Sequence, residues 1–158
     1  MTGRLFSRML VYVLIFLPIG CRTETDVTNV PRFRDGWTPG GTYVLVQAVY
    51  LLPDDMLVPS GSPLAPPPFG KWQADPSSYP YITGIVSAGT RIRLSRLVWE
   101  RSVAADDVIV YGKVLDGQYA GRELVLDLIS AIIPAPPKNP ITTFAIEPAY
   151  LRLVGPSE

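Results

Sequence analysis

The sequence predicts an all-β domain built from five to seven short antiparallel strands, arranged as a small barrel or sandwich. Three observations predict it. Runs of five to eleven residues rich in β-branched and aromatic side chains recur along the chain, bounded by Gly, Pro, Asn or Asp. No helical apolar period is sustained beyond the N-terminal segment. Proline, at 17 residues, is concentrated in two stretches, 53–80 and 130–140, which leaves the apolar runs between them able to pair.

The bulk numbers agree with one domain carrying appendages. The chain has 158 residues, of which 47% are hydrophobic and 18% charged, so a core can form. Histidine is absent and cysteine occurs once. That excludes a Ser-His-Asp or Cys-His nucleophile pair, a disulfide framework and a cysteine zinc cluster. Fourteen basic residues balance fourteen acidic ones. There is no bias toward a polyanion, and nucleic acid is set aside as a partner. No cofactor is expected.

The first residues read MTGRLFSRMLVYVLIFLPIGC. Arg4 and Arg8 precede an uncharged apolar run, Met9 to Ile19, much shorter than the roughly 20 residues of a spanning helix. Gly20 and the lone cysteine, Cys21, follow. The segment Leu17-Pro18-Ile19-Gly20-Cys21 resembles the lipobox of bacterial lipoprotein signal peptides, with Pro18 where leucine is usual. The resemblance implies removal of residues 1–20 and lipid attachment at Cys21. Diacylglyceryl and amide-linked acyl chains, such as palmitate, would anchor the protein in the cell envelope. Arg22, in place of Asp, then favours an outer membrane, facing the periplasm, where the organism has one. An ordinary signal peptide and an uncleaved anchor are the competing readings.

Residues 21–41 are polar and aperiodic, and read as a flexible tether. The β domain is expected over 42–155. Thr42 to Leu52 reads as one strand apolar on both faces. Residues 53–80 hold eight prolines and read as a loop pinned by Met56, Leu57, Val58, Leu64, Phe69, Trp72 and Tyr79, with no helix. Tyr81 to Val86 and Thr90 to Trp99 are the next strands. In the second, Ile92 and Leu94 alternate with Arg91 and Arg93, and the phase slips after Ser95, predicting a bulge. Val108 to Leu115 and Arg122 to Ile129 make a hairpin, with Asp127 facing outward. Ile141 to Ile146 and Tyr150 to Val154 complete the set.

The segment from Ile146 to Val154, with Pro148 and Tyr150 on a turn before a final strand, resembles the end of an SH3 domain. The long loop after the first strand and the glycine turn into a basic strand keep the same order. The resemblance implies an SH3-like barrel with proline-rich insertions. It matches Pro148 and Tyr150 to residues that line a peptide groove, while the groove's tryptophan pair has no counterpart at Asp107-Val108-Ile109. Closing the core is the other role open to Tyr150.

Candidate chemistry is sparse. The pairs Asp54-Asp55 and Asp106-Asp107 lack EF-hand spacing, and no metal site is expected. Arg91, Arg93, Arg96 and Arg101 form the densest basic cluster. They suit an acidic partner, or an edge strand kept from aggregating by charge. Trp72 and Tyr79, with Tyr81 and Trp99, offer stacking surface. The expectation is a non-enzymatic, membrane-anchored envelope lipoprotein. It would bind an envelope protein or cell-wall peptide through Tyr150, Pro148, Trp72, Tyr79, Arg91 and Arg93. A carboxylate-dependent hydrolase of cell-wall polymer and a structural assembly factor are the alternatives.

Overall fold

The computed structural model describes residues 22–60, 67–102, 106–133 and 141–156. The chain there is mostly β, as expected. Its strands are β1 (Thr23–Asp26), β2 (Gly41–Leu45), β3 (Val49–Leu51), β4 (Leu57–Val58), β5 (Gly84–Val86) and β6 (Arg91–Arg101). They continue with β7 (Asp106–Val114), β8 (Glu123–Val125), β9 (Ser130–Ile133), β10 (Ile141–Ile146) and β11 (Leu151–Pro156). The main sheet runs β11-β2-β6-β7-β10-β9, with β1 added to β6 and β8 to β7. A second sheet runs β4-β3-β5, and neither sheet closes on itself.

The centre of the main sheet is the long β6–β7 hairpin. β6 lends its first half to β2, from Arg91 to Arg93, and its second half to β1, from Val98 to Arg101. Between the halves the register against β7 shifts from Leu94 to Arg96. This is the irregularity that the phase slip after Ser95 predicts. The extra residue lets Ile92, Leu94 and Leu97 all stay buried although the alternation breaks. The charged strand is therefore central, and the expectation of an exposed edge strand is corrected. Arg91, Arg93 and Arg96 line the open face of a strand paired on both sides.

Four further expectations change. Residues 21–41 are not a tether over their described part. Thr23 to Asp26 pair with β6, and Val27, Phe33 and Trp37 enter the core. Polar composition hid this because every β1 side chain is exposed, while the three buried residues sit at irregular spacing in turns. The second change is in 42–52, which is two strands in two sheets. Val46 donates its N–H to the Tyr150 carbonyl at 2.9 Å, and the chain then turns away. Third, β10 runs parallel to β7 through Ile141–Asp106 and Thr142–Asp107, so the sheet is not wholly antiparallel. Lastly, the proline-rich loop does contain a helix, α1 (Phe69–Ala74). It fits because Pro68 precedes it and Pro76 follows it, so no proline ring interrupts its bonds.

The signal peptide, Cys21 and residues 134–140 of the second proline-rich stretch lie outside the described residues. Among the described residues no helix is long and apolar enough to cross a membrane.

Candidate functional site: an aromatic lobe on the small sheet

The proline-rich excursion leaves β3 and returns to it. β4 pairs with one side of β3 through Tyr50–Val58 and Leu51–Leu57. β5 pairs with the other side through Val49–Val86, Tyr50–Ile85 and Leu51–Gly84. Residues 67–82 therefore form a lobe seated over one small sheet, with Tyr50 at its centre. Tyr50 is fully buried, and its hydroxyl donates to the Pro67 carbonyl at 2.7 Å. Phe69 packs on its ring at 4.5 Å, and Trp72 meets it edge-on at 6.0 Å. Burial pushes the Tyr50 phenol above its ordinary range, and the nearby phenols of Tyr79 and Tyr81 add to the effect.

The outer half of the lobe is built by turns. Asp75 ends α1 and accepts hydrogen bonds from the hydroxyls of Ser77 and Ser78, which hold its carboxyl below the usual range. The Pro76–Ser78 turn delivers Tyr79, whose ring meets Tyr81 edge-on at 6.3 Å. Thr83 then ties the return to β3, with both its N–H and its hydroxyl bonded to the Leu51 carbonyl. The result is an aromatic surface with a buried floor and an open rim. Tyr81 is 43% exposed. The Trp72 indole nitrogen is buried and finds no acceptor among the described residues. An unmade hydrogen bond of that kind costs roughly 1–3 kcal/mol.

The sequence-derived site residues separate into three places. Trp72 and Tyr79 come together in the lobe, joined by Tyr50 and Phe69, which strand and loop signals alone did not connect. Pro148 and Tyr150 sit elsewhere, on the turn before β11. Tyr150 bonds back to the Glu147 carbonyl at 2.9 Å and packs against the main core, while Pro148 is exposed. No ring contact or hydrogen bond joins this turn to the lobe among the described residues.

Arg91 and Arg93 do share the open face expected of them. Arg91, however, is engaged. Its Nε and backbone N–H both donate to Asp116, at 2.6 and 2.9 Å, and hold that carboxyl below its usual range. Arg96 is paired with Glu123 and lies over the Tyr111 ring at 4.2 Å. Burial pushes Glu123 up, but the bonds from Arg96 and Ser95 outweigh it and hold the carboxyl low. Arg101 is 3.8 Å from Asp106. Arg93 alone of the four faces no carboxylate among the described residues; its strand neighbours are Thr42 and Lys113. The expected four-arginine anion site is therefore reduced to Arg93.

Asp127 was missed as a special group. An alternating pattern assigns it to an outward strand position, but it opens a 3₁₀ turn after β8. Its Oδ1 accepts the Val110 N–H at 2.8 Å, inside the fold. Burial, with smaller contributions from Asp107 and Glu100, pushes its carboxyl up from 3.8 to about 7. The folded state thus holds this proton more tightly than the unfolded chain. The stabilisation is fully present below about pH 4, falls as pH rises toward 7, and is gone above it. Asp127→Asn keeps an acceptor for Val110 without the charge. Between pH 5 and pH 8 wild type is expected to lose about 2 kcal/mol more than this variant in urea unfolding. Parallel pH profiles would show that Asp127 carries no such shift.

Among the described residues no group of three or more carboxylate or cysteine side chains is arranged to hold a metal ion. A scan against protein-family models matches none, and searches of curated proteins and of solved structures find no match.

Proposed function

We propose that the chain is a lipid-anchored cell-envelope lipoprotein whose β domain binds an envelope protein or a cell-wall peptide without catalysing a reaction. The observation that carries the binding role is the aromatic lobe. Five aromatic side chains converge on one small sheet, with Tyr81 well exposed and Tyr50 fully buried beneath them. Aromatic surfaces with a buried anchor and an exposed rim suit peptide and protein recognition.

An SH3-like arrangement is the fold reading that accompanies it. β2 is followed by a long excursion, then by the bulged β6–β7 hairpin and the short β8. A turn carrying Pro148 and Tyr150 leads into β11, which pairs back onto β2. On this reading β1 and the β9–β10 pair are additions to the sheet. The rival reading, a carboxylate-dependent hydrolase of cell-wall polymer, rests on Asp127, which stays partly protonated near neutral pH. Its carboxyl is already occupied by the Val110 N–H, which leaves the lobe the better candidate.

Site-specific photocrosslinking from Tyr81 in intact envelopes tests the binding role. A discrete adduct is expected, and Trp72→Phe should reduce its yield about tenfold, or about 1.4 kcal/mol, by reshaping the aromatic surface. The same substitution should leave the thermal midpoint within about 2 °C, because no internal bond is lost. An adduct pattern that Trp72→Phe leaves unchanged would remove the lobe as the binding surface.

A further inference from the structure

We infer that the open face of the main sheet carries a second interaction surface, on which Arg93, Lys113 and Arg152 take an acidic, extended protein segment. It depends on neither the lobe nor the lipid anchor. The three residues come from β6, β7 and β11, and all are exposed. The register places them. Arg93 lies opposite Thr42 on one side and Lys113 on the other. Arg152 lies opposite Val44, and Val44 opposite Arg91, two residues along β6 from Arg93. Alternation puts all three on the face that holds Arg91, away from the buried row of Tyr43, Ile92 and Val114.

Charge singles these residues out. The chain carries as many acidic as basic residues, so an unbalanced face is not the by-product of a basic protein. On this face Arg91 is matched to Asp116 and Arg96 to Glu123. Arg93, Lys113 and Arg152 make no ion pair, side-chain hydrogen bond or ring contact among the described residues. Lys113 stands opposite Glu123, but that carboxylate is already held by Arg96 and Ser95. The Thr42 hydroxyl beside Arg93 makes no hydrogen bond either, so nothing on β2 engages that guanidinium. Charge on an edge strand guards a sheet against unwanted pairing, and this accounts for Arg152 on β11. It does not account for Arg93 and Lys113, whose strands are paired on both sides. Spacing then selects the partner. Arg93 and Lys113 are one strand spacing apart, about 5 Å, and Arg152 is two spacings and two residues from Arg93, about 12 Å. Side chains on one face of an extended chain recur about every 7 Å, so acidic residues at alternate positions meet the Arg93–Lys113 pair at one end and Arg152 at the other.

The full chain in detergent tests this by fluorescence anisotropy at low salt. The probe is a labelled peptide of alternating glutamate and serine, eight residues long. Saturable binding is expected, and the same peptide with glutamine for glutamate should not bind. Combining Arg93→Gln, Lys113→Gln and Arg152→Gln should weaken binding about tenfold, and Arg93→Gln alone about twofold. Arg32→Gln removes the same charge from an exposed turn in the N-terminal segment and should change binding by less than about 1.5-fold. The three substituted side chains are exposed and unpaired, so the thermal midpoint of the triple variant should stay at the wild-type value; if it falls, Arg93→Gln alone decides. Absence of probe binding, or a folded triple variant that binds as wild type does, would overturn the proposal. So would an equal loss with Arg32→Gln, which would mean attraction by net charge only. Equally tight binding of a probe with four glutamates followed by four serines would overturn the extended segment in favour of a compact anion.

Discussion

Replacing Trp37 by alanine is expected to cost about 3–5 kcal/mol, in the range of large-to-small changes at fully packed aromatic sites. Trp37 is 2% exposed. Its ring meets Tyr43 edge-on at 5.0 Å, and its indole N–H donates to the Phe144 carbonyl at 2.7 Å. The residue therefore joins the N-terminal segment to β2 and β10 together. Tyr43 completes the junction by accepting the Thr38 N–H at 2.8 Å. Alanine would open a cavity and take the indole donor from the part-buried Phe144 carbonyl, and the two losses add. A tether residue would cost almost nothing, so urea unfolding separates the two pictures cleanly. A midpoint unchanged from wild type would mean that residues 22–41 do not belong to the domain.

The second large effect is expected at Gly112, in the middle of β7. A β-carbon there would stand 2.5 Å from Cγ2 of Ile92 and 2.9 Å from Cδ1 of Leu126. Cγ2 of Ile92 is bonded directly to its own β-carbon and cannot swing aside. The backbone cannot retreat either, because Gly112 is paired with Leu94 on one side and Leu124 on the other. Gly112→Ala is expected to cost about 2 kcal/mol and Gly112→Val about 3 or more, through overpacking. Pairing Gly112→Ala with Ile92→Ala removes the nearest clash. The double variant should be more stable than the sum of the single losses implies, a coupling of about 1 kcal/mol. Strict additivity would show that the strand relaxes around the new methyl group instead.

These two residues also show what the sequence made legible. Gly112 lies within the run DVIVYGKVL, and strand periodicity placed that run correctly without giving any reason for the glycine. The reason is non-local: Ile92 comes from β6 and Leu126 from the residue just past β8. Local signals worked where the physics is local. Alternation in β6 identified the buried Ile92 and Leu94, the broken phase located the bulge, and turn residues located the β7–β8 hairpin. The turn at Pro148 was likewise readable from its residues.

Signals failed where partners are distant. Trp37 and Phe33 look like isolated aromatics in a polar segment, and only the opposing strands make them core. Asp127 fits an outward strand position until the chain turns after Val125 and aims it at Val110. The lobe was half visible. Proline density and scattered aromatics marked residues 53–80 as more than a linker, but Tyr50 was assigned to a strand face with no hint that it would gather Phe69 and Trp72. Charge was the least legible property. Four arginines close in sequence suggested one basic site, and the fold gave three of them separate carboxylate partners, Asp116, Glu123 and Asp106.

The direction in which β1 runs has a mechanical meaning. The strand starts two residues from Cys21 and proceeds away from it, antiparallel to β6. Its hydrogen bonds to β6 lie across the strand axis. On the proposed anchoring at Cys21, a pull directed along that axis would strain all four register pairs together in shear. Were the strand entered from its other end, the same pull would peel them one at a time. Just beyond it, the Thr28 hydroxyl donates to Asp26 at 2.6 Å and accepts the Leu97 N–H at 2.8 Å. The Thr28 hydroxyl and N–H, both donating to Asp26, keep its carboxyl below the usual range, and the set acts as a latch behind the strand. Under the proposed anchoring, β1 would meet tension in the orientation that resists it best.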